Sequence, residues 1–195
     1  MRRRTDNRKK ARGNILWTEM LPTPLGAVWL SFSEQGLQRL HFDTPAQIPG
    51  PLWPVDRLDT DWAARLRRWR QETAAACQAY FAGTPDSFAS LTLDLRGTAF
   101  QIRVWQTLRR VPFGSVTTYQ TLARAVGLLR GARAVGAALR ANPLPIIIPC
   151  HRVVASSGSL GGYSAGLHYK RALLSHERQA TGQSPLPLTG PVQIS

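Results

Sequence analysis

The chain is poor in cysteine: two of its 195 residues, Cys77 and Cys150. Two thiols are too few for a disulfide framework, and no Cys-x-x-Cys or His-x-x-x-His spacing exists to hold zinc, so no metal site is expected. Long hydrophobic runs are missing as well. The longest, Leu144 to Val154, is interrupted by Pro, His and Arg and is far shorter than the roughly 20 apolar residues that cross a bilayer. No apolar signal core follows the first arginines, so a cytoplasmic protein with no membrane partner is expected. Internal repeats are absent too. Disorder is excluded by what remains, since 43% of residues are hydrophobic, six are tryptophan and only 18% are charged. That suffices for one sizeable core or two small domains.

Acid is the scarcest resource, and its scarcity is local. Residues 1–13 carry seven Lys/Arg against Asp6, and residues 14–95 carry six Arg against nine acids. Residues 96–195 carry twelve Lys/Arg against one acid, Glu177, and the chain totals +14. A polyanion is the expected partner, nucleic acid first, because neutralising phosphates releases counterions and steers association. A generic arginine-rich surface from a GC-rich genome is the bland alternative. The acidic middle segment argues against it, because genome bias would act along the whole chain.

The pattern divides the chain into a disordered basic arm (1–13), an α/β segment (14–94), a mainly helical segment (95–178) and a loose Pro-rich tail (179–195). Pro22 to Phe32 and Leu37 to Phe42, joined by Ser33-Glu-Gln-Gly36, predict a hairpin, and alternating Leu91, Leu93 and Leu95 predict a third strand. Trp62, Leu66, Trp69, Cys77 and Tyr80 fall on one helical stripe that stops at Gly83, which makes Cys77 a core residue. Thr98 caps a helix bearing Phe100, Ile102, Trp105 and Leu108 that ends at the turn Val111-Pro-Phe-Gly114. Helices are predicted from Thr117 or Thr118 to Gly127, and from Ala132 to Ala141. This short pair, with Arg133 and Arg140 on the second helix, is a candidate helix-turn-helix.

Asn142-Pro-Leu-Pro-Ile-Ile-Ile-Pro-Cys-His-Arg-Val-Val154 carries the chemistry. Its three isoleucines predict a buried strand that Pro149 ends just before Cys150 and His151. A thiol reacts as the thiolate, which needs a base or a positive field; His151 is adjacent and Arg152 follows. Neighbours on a strand face opposite ways, so contact between Cys150 and His151 would need a turn or a bridging water. Glu177, the lone acid of the back half, is the candidate to orient the imidazole. A buried cysteine beside a satisfied histidine is the plain alternative.

Several ordered motifs then resemble one family. Gly97-Thr-Ala-Phe-Gln, Val111-Pro-Phe-Gly-Ser-Val-Thr-Thr-Tyr119, Ala132-Arg-Ala-Val-Gly136, Pro149-Cys-His-Arg-Val153 after Asn142-Pro, Gly162-Tyr-Ser-Ala-Gly166 and Lys170-Arg-Ala-Leu-Leu-Ser-His-Glu177 are similar to the O6-methylguanine-DNA methyltransferases. The match spans about residues 95–178, with weaker agreement at Thr23-Pro-Leu-Gly26. The resemblance implies an α/β fold: a small antiparallel-sheet, ribonuclease H-like N-terminal domain and a mainly helical C-terminal domain with a helix-turn-helix.

It also implies irreversible, single-turnover transfer, with no cofactor, of a methyl or alkyl group from guanine O6, and in some cases thymine O4, in double-stranded DNA to Cys150. His151 would act through a water as base, Glu177 would polarise it, and Asn142 would hold the turn before the active-site segment. Tyr119 would hydrogen-bond the flipped base and crowd its phosphate, and Tyr163 would wall the pocket. The backbone at Cys150, Val153 and Ser164 would read the guanine edge. Arg133 would fill the gap left by the extruded base, and small Ala132, Ala134, Gly136 and Ala137 would let the helix approach the minor groove. Arg140, which projects from the same helix, is a further candidate DNA contact, and phosphate contacts alone are the plain alternative for both arginines. A monomer is expected, with cooperative binding along DNA left open. The chain departs from the family pattern at Leu128 to Gly131, at Ala141 and at Ala165, the last bearing on alkyl size, and it lacks the cysteines of the family's occasional zinc site. Two other functions compete: a non-catalytic lesion-recognition or regulatory DNA-binding protein, which would not need the nucleophile, and a cysteine hydrolase, which would not need the basic body.

Overall fold

A computed structural model describes residues 15–42 and 61–184. The basic arm lies outside the described residues, as does the tail from residue 185. A three-stranded antiparallel sheet comes first: β1 (Trp17–Thr23), β2 (Gly26–Ser33) and β3 (Gly36–His41), in sequence order. The predicted first run from Pro22 to Phe32 is corrected here. The chain reverses at Pro24-Leu25, so an additional strand, β1, pairs Trp17 with Phe32 and Thr23 with Gly26. Thr23 makes that turn by donating its hydroxyl to the Gly26 carbonyl at 2.6 Å and accepting from the Leu25 N–H at 3.3 Å, a local side-chain bond that competes with strand continuation.

The strand predicted at Leu91 to Leu95 shrinks to one parallel bridge between Leu37 and Leu93. Two backbone bonds make that bridge, Leu37 N–H to the Thr92 carbonyl at 3.0 Å and Asp94 N–H to the Leu37 carbonyl at 2.9 Å, and the Asp94 carboxylate adds bonds from the Ser33, Gln38 and Arg96 side chains. Helix α1 (Asp61–Phe81) buries Leu66, Trp69, Cys77 and Tyr80, and the backbone turns left-handed at Gly83.

Helix α2 (Ala99–Leu108) starts with a reciprocal capping box between Thr98 and Gln101, as Thr-x-x-Gln predicts. Its Trp105 indole donates to the Ala138 carbonyl at 2.9 Å, tying α2 to α4 (Ala132–Arg140). Between them come β4 (Thr117–Thr118) and α3 (Tyr119–Ala125), the latter capped by the Thr118 hydroxyl. On α4, Val135, Ala138 and Leu139 face the core while Arg133, Ala134, Ala137 and Arg140 face out.

The isoleucine run is not a strand. Residues 143–149 bend around a turn at 145–147, all three isoleucines are buried, and Ile146 adopts a φ of 72°. Pro143, Pro145 and Pro149 remove three backbone donors, which rules out a ladder. Asn142 substitutes for the missing partners, taking the Leu144 N–H at 3.0 Å and donating to the Ile148 carbonyl at 2.8 Å. A turn of 3-10 helix (Cys150–Arg152) follows, then β5 (Val153–Val154), parallel to β4. Helix α5 (Leu167–Ala180) closes the described chain and runs slightly past residue 179, where a loose tail was expected. Buried apolar side chains from Val28 to Leu173 form a single cluster.

Candidate active site

Cys150 sits on the floor of an open cleft of about 1110 Å³. The walls come from the start of α3 (Tyr119, Gln120), the outer face of α4 (Ala132, Arg133, Gly136, Ala137, Arg140) with an edge of the buried Leu139, and two loops (Ala155, Ser156, Gly162, Tyr163, Ser164). Of the residues singled out in the sequence, Cys150, Tyr119, Ala132, Arg133, Gly136, Arg140, Tyr163 and Ser164 meet at this cleft. Ala134 is exposed on α4 but does not line it. The Val153 side chain is fully buried, and its carbonyl accepts from Lys170 Nζ at 2.6 Å. Asn142, His151 and Glu177 stand behind the floor rather than on it.

The local fold dictates this arrangement. Because residues 150–152 turn instead of extending, the side chains of Cys150, His151 and Arg152 fan out from one point. The Cys150 sulfur accepts from Asn142 Nδ2 at 3.0 Å. Burial pushes the thiol up, while the Asn142 bond, the Lys170 ammonium and the nearby Tyr163 hydroxyl oppose it. The resting group is therefore a thiol whose thiolate is already provided with a donor.

His151 is wholly buried. One nitrogen, Nε2, lies 2.7 Å from Glu177 Oε1, and the other, Nδ1, has no hydrogen-bond partner among the described residues. An ionised carboxylate only accepts, so Nε2 carries the proton and the Nδ1 lone pair is left as the basic site. Burial lowers the imidazole's proton affinity, Glu177 raises it, and Arg152 and Lys170 lower it again.

Glu177 is the hub. Burial alone would favour its neutral form, but hydrogen bonds and charges from His151 and Arg152 outweigh that and hold it far below the usual carboxylate range. Arg152 forks onto it, Nε to Oε2 at 2.9 Å and Nη2 to Oε1 at 2.9 Å. The Gly114 N–H adds 3.0 Å to Oε2. Gly114 has a φ of 76°, and a Cβ there would come within 2.7 Å of Thr181, so only glycine brings this N–H to the carboxylate.

Three participants escaped sequence reasoning. Arg152, suggested by its position as a field for the thiol, serves Glu177 and the Val111 carbonyl instead. Lys170 is fully buried with Nζ on the Val153 and Leu160 carbonyls, and burial brings it down to about 8. Tyr80, taken for plain core on α1, donates to Glu177 Oε1 at 2.9 Å. Its signal was legible in principle, because a tyrosine on a buried stripe needs a partner for its hydroxyl, and the back half offers one carboxylate.

Tyr119 is half-buried, its hydroxyl 3.4 Å from the Gly162 carbonyl. A side chain at Gly161 would strike that hydroxyl at 2.9 Å. The Tyr163 hydroxyl is buried short of full hydrogen-bond geometry with any described residue, and the group it favours is the Cys150 sulfur. No cluster of three or more His, Cys, Asp or Glu side chains suited to a metal ion occurs among the described residues. No described helix is long and apolar enough to cross a membrane.

A protein with a cysteine thiol at the base of an arginine-rimmed cleft and a histidine–carboxylate pair behind it is the class that fold and site define. The family model "6-O-methylguanine DNA methyltransferase, DNA binding domain" matches residues 99–179. A methylated-DNA–protein-cysteine methyltransferase of Methanosarcina barkeri is 38% identical over 164 residues, covering 83% of this chain and 97% of that protein. The Mycobacterium tuberculosis O6-methylguanine methyltransferase superposes with a TM-score of 0.68 at 33% identity, covering 84% of this chain and 93% of its own. A second structure, M. tuberculosis OGT in complex with DNA, gives 0.68 at 32% identity with the same coverage. The chain belongs to the methylated-DNA–protein-cysteine methyltransferase family.

Proposed function

We propose that this protein reverses alkylation damage in DNA directly, moving the alkyl group from guanine O6, and from thymine O4 where that lesion is presented, onto Cys150 Sγ. The Cys150 proton passes to His151 Nδ1 through a bridging water, and Glu177 stabilises the imidazolium that forms. The sulfur then attacks the alkyl carbon; the S–C bond forms as the C–O6 bond breaks. The departing guanine anion takes up one proton, so the thiol's proton ends on the restored base. No cofactor is needed for this balance. Because the thioether has no route back to a thiol, each molecule acts once. The observation that carries this reading is Cys150 on the cleft floor with a donor on its sulfur and a buried His151–Glu177 pair behind it.

Asn142 holds both the turn and the sulfur, Tyr119 faces the extruded base from the start of α3, and Tyr163 walls the pocket. The backbone of Cys150, Val153 and Ser164 reads the guanine edge; the Val153 carbonyl keeps a second lone pair beyond the one used by Lys170. Helices α3 and α4 act as a helix-turn-helix whose second helix lies in the minor groove. Arg133 fills the vacated stack and Arg140 meets phosphate, while Ala132, Ala134 and Gly136 keep that face low. Residues 14–94 form a ribonuclease H-like supporting domain and 95–178 the alkyl-acceptor domain, in a cytoplasmic monomer. The DNA partner is supported by the related M. tuberculosis protein, whose structure was solved with DNA.

Incubation with a duplex containing O6-methylguanine, followed by mass analysis of the Cys150 peptide, tests the reading. One added methyl is expected, and its absence would overturn it.

A further inference from the structure

Glu177 collects donors from three segments of the chain, and one of them lies far outside the acceptor region. Gly114, His151 and Arg152 belong to residues 95–178, whereas Tyr80 reaches across from α1, 97 positions away. The ring of Tyr80 packs against Phe81, Phe88, Phe113 and His176. Phenylalanine would serve that packing equally well, so the hydroxyl has a separate use. It arrives on Oε1, the same oxygen that faces His151 and already takes Arg152 Nη2, so three donors within 2.9 Å share one atom. Donors to a common oxygen compete for its electron density, and each weakens the pull on the others.

We propose that Tyr80 is a positioning residue for alkyl transfer: its hydroxyl pins Glu177 Oε1 against His151 and limits how strongly that oxygen holds the imidazole N–H. The inference rests on the reading of Cys150 as alkyl acceptor. Through it the first region of the chain sets the proton affinity of the base in the second. The groups that face this junction are Glu177, Arg152, Tyr163 and His176 around Tyr80, and Glu177, Arg152, Lys170 and Cys150 around His151. Burial and the Glu177 charge keep Tyr80 protonated well above the ordinary phenol range, so it remains a donor throughout the working pH range. Replacing it with phenylalanine removes a competing donor without changing net charge.

The test uses the full chain with Cys150→Ser, so that it does not depend on alkyl transfer. The downfield proton resonance of His151 Nε2–H, assigned by its loss in His151→Gln, is the readout. Tyr80→Phe should move it further downfield as the bond to Glu177 strengthens. Site-specific 3-fluorotyrosine at position 80, a stronger donor with nearly the same shape, should move it upfield. In the Cys150 protein, the acid limb of methyl uptake against pH should shift to higher pH for Tyr80→Phe and to lower pH for the fluorotyrosine form. A structural role alone would lower the rate at every pH without displacing the limb. Should Tyr80→Phe fail to fold, the fluorotyrosine arm decides by itself. An unmoved resonance, or shifts of the same sign in both proteins, overturns the proposal. Absence of methyl uptake by the unsubstituted protein would instead overturn the assignment of function, leaving the resonance result to stand.

Discussion

Cys77 and Cys150 are both free and both buried, yet the regions around them have little in common. Cys77 lies on the apolar stripe of α1, where burial alone pushes its thiol up to about 12. Around Cys150, burial acts in the same direction but meets the Asn142 amide, the Lys170 ammonium and the Tyr163 hydroxyl, and the sulfur opens to a cleft. Depth therefore does not separate an inert thiol from a reactive one. The difference is whether donors and a proton acceptor are built around the sulfur and whether a substrate can reach it.

The sharpest way to break this contrast is to exchange the roles. Cys150→Ala should abolish methyl uptake from an O6-methylguanine duplex, while Cys77→Ala should leave full stoichiometry, read by intact mass. Uptake by the first variant, or its loss in the second, would show the two regions to be misassigned.

Next in size is the polar shell. Asn142→Ala or His151→Phe should slow transfer by about 10²–10⁴-fold, the usual worth of positioned proton transfer, in single-turnover kinetics on duplex and free base alike. A tenfold or smaller effect would mean that the shell is ornamental.

Glu177→Gln leaves Arg152 buried without its counter-ion and should destabilise the fold by about 3–5 kcal/mol near neutral pH. The sign of the pH dependence is fixed. Glu177 is held far below the ordinary carboxylate range, so its contribution is complete above about pH 4.3 and declines as pH falls through the folded value. The gap between the two proteins in urea melts should narrow only below about pH 4.3. Narrowing already between pH 7 and 5 would contradict it.

Arg133→Ala reaches only the cleft rim. It should cost about tenfold on duplex, where a few kcal/mol of unstacking must be offset, and nothing on a free O6-alkylguanine base. Equal losses on both would move Arg133 from DNA handling to the chemistry.

The smallest effect on chemistry is expected from deleting residues 1–13. Their seven Lys/Arg should account for up to about 6 in the log–log salt slope of DNA binding, at about 0.9 per phosphate contact, with free-base transfer unchanged. An unaltered slope would remove the arm from the interface.

Much of the architecture could be read from local signals. Thr98 announced the cap of α2, Gly83 the end of α1, and spacing the buried stripe that holds Cys77 and Tyr80. The misreadings share a cause: they concern segments whose path is set by polar side-chain bonds rather than by hydropathy. Thr23 folds the hairpin one turn earlier than hydropathy suggests, Asp94 adds a polar anchor to a single bridge that alternation reads as a strand, and Asn142 holds a proline-broken run that periodicity reads as β. A hydropathy pattern records which side chains are buried, and it does not record where the amides go.

By itself the sequence determined the candidate cysteine, its histidine neighbour, the one acid of residues 96–195 and the basic half in which they sit, because residue identity and charge balance are properties of the chain. Only the tertiary structure decided how they are wired. A helical turn at residues 150–152 sends Cys150 to the cleft and His151 inward, and Gly114, Arg152 and Tyr80 converge on Glu177 from distant segments. A buried carboxylate stays ionised only if several donors reach it at once, and their convergence is set by how helices and loops pack.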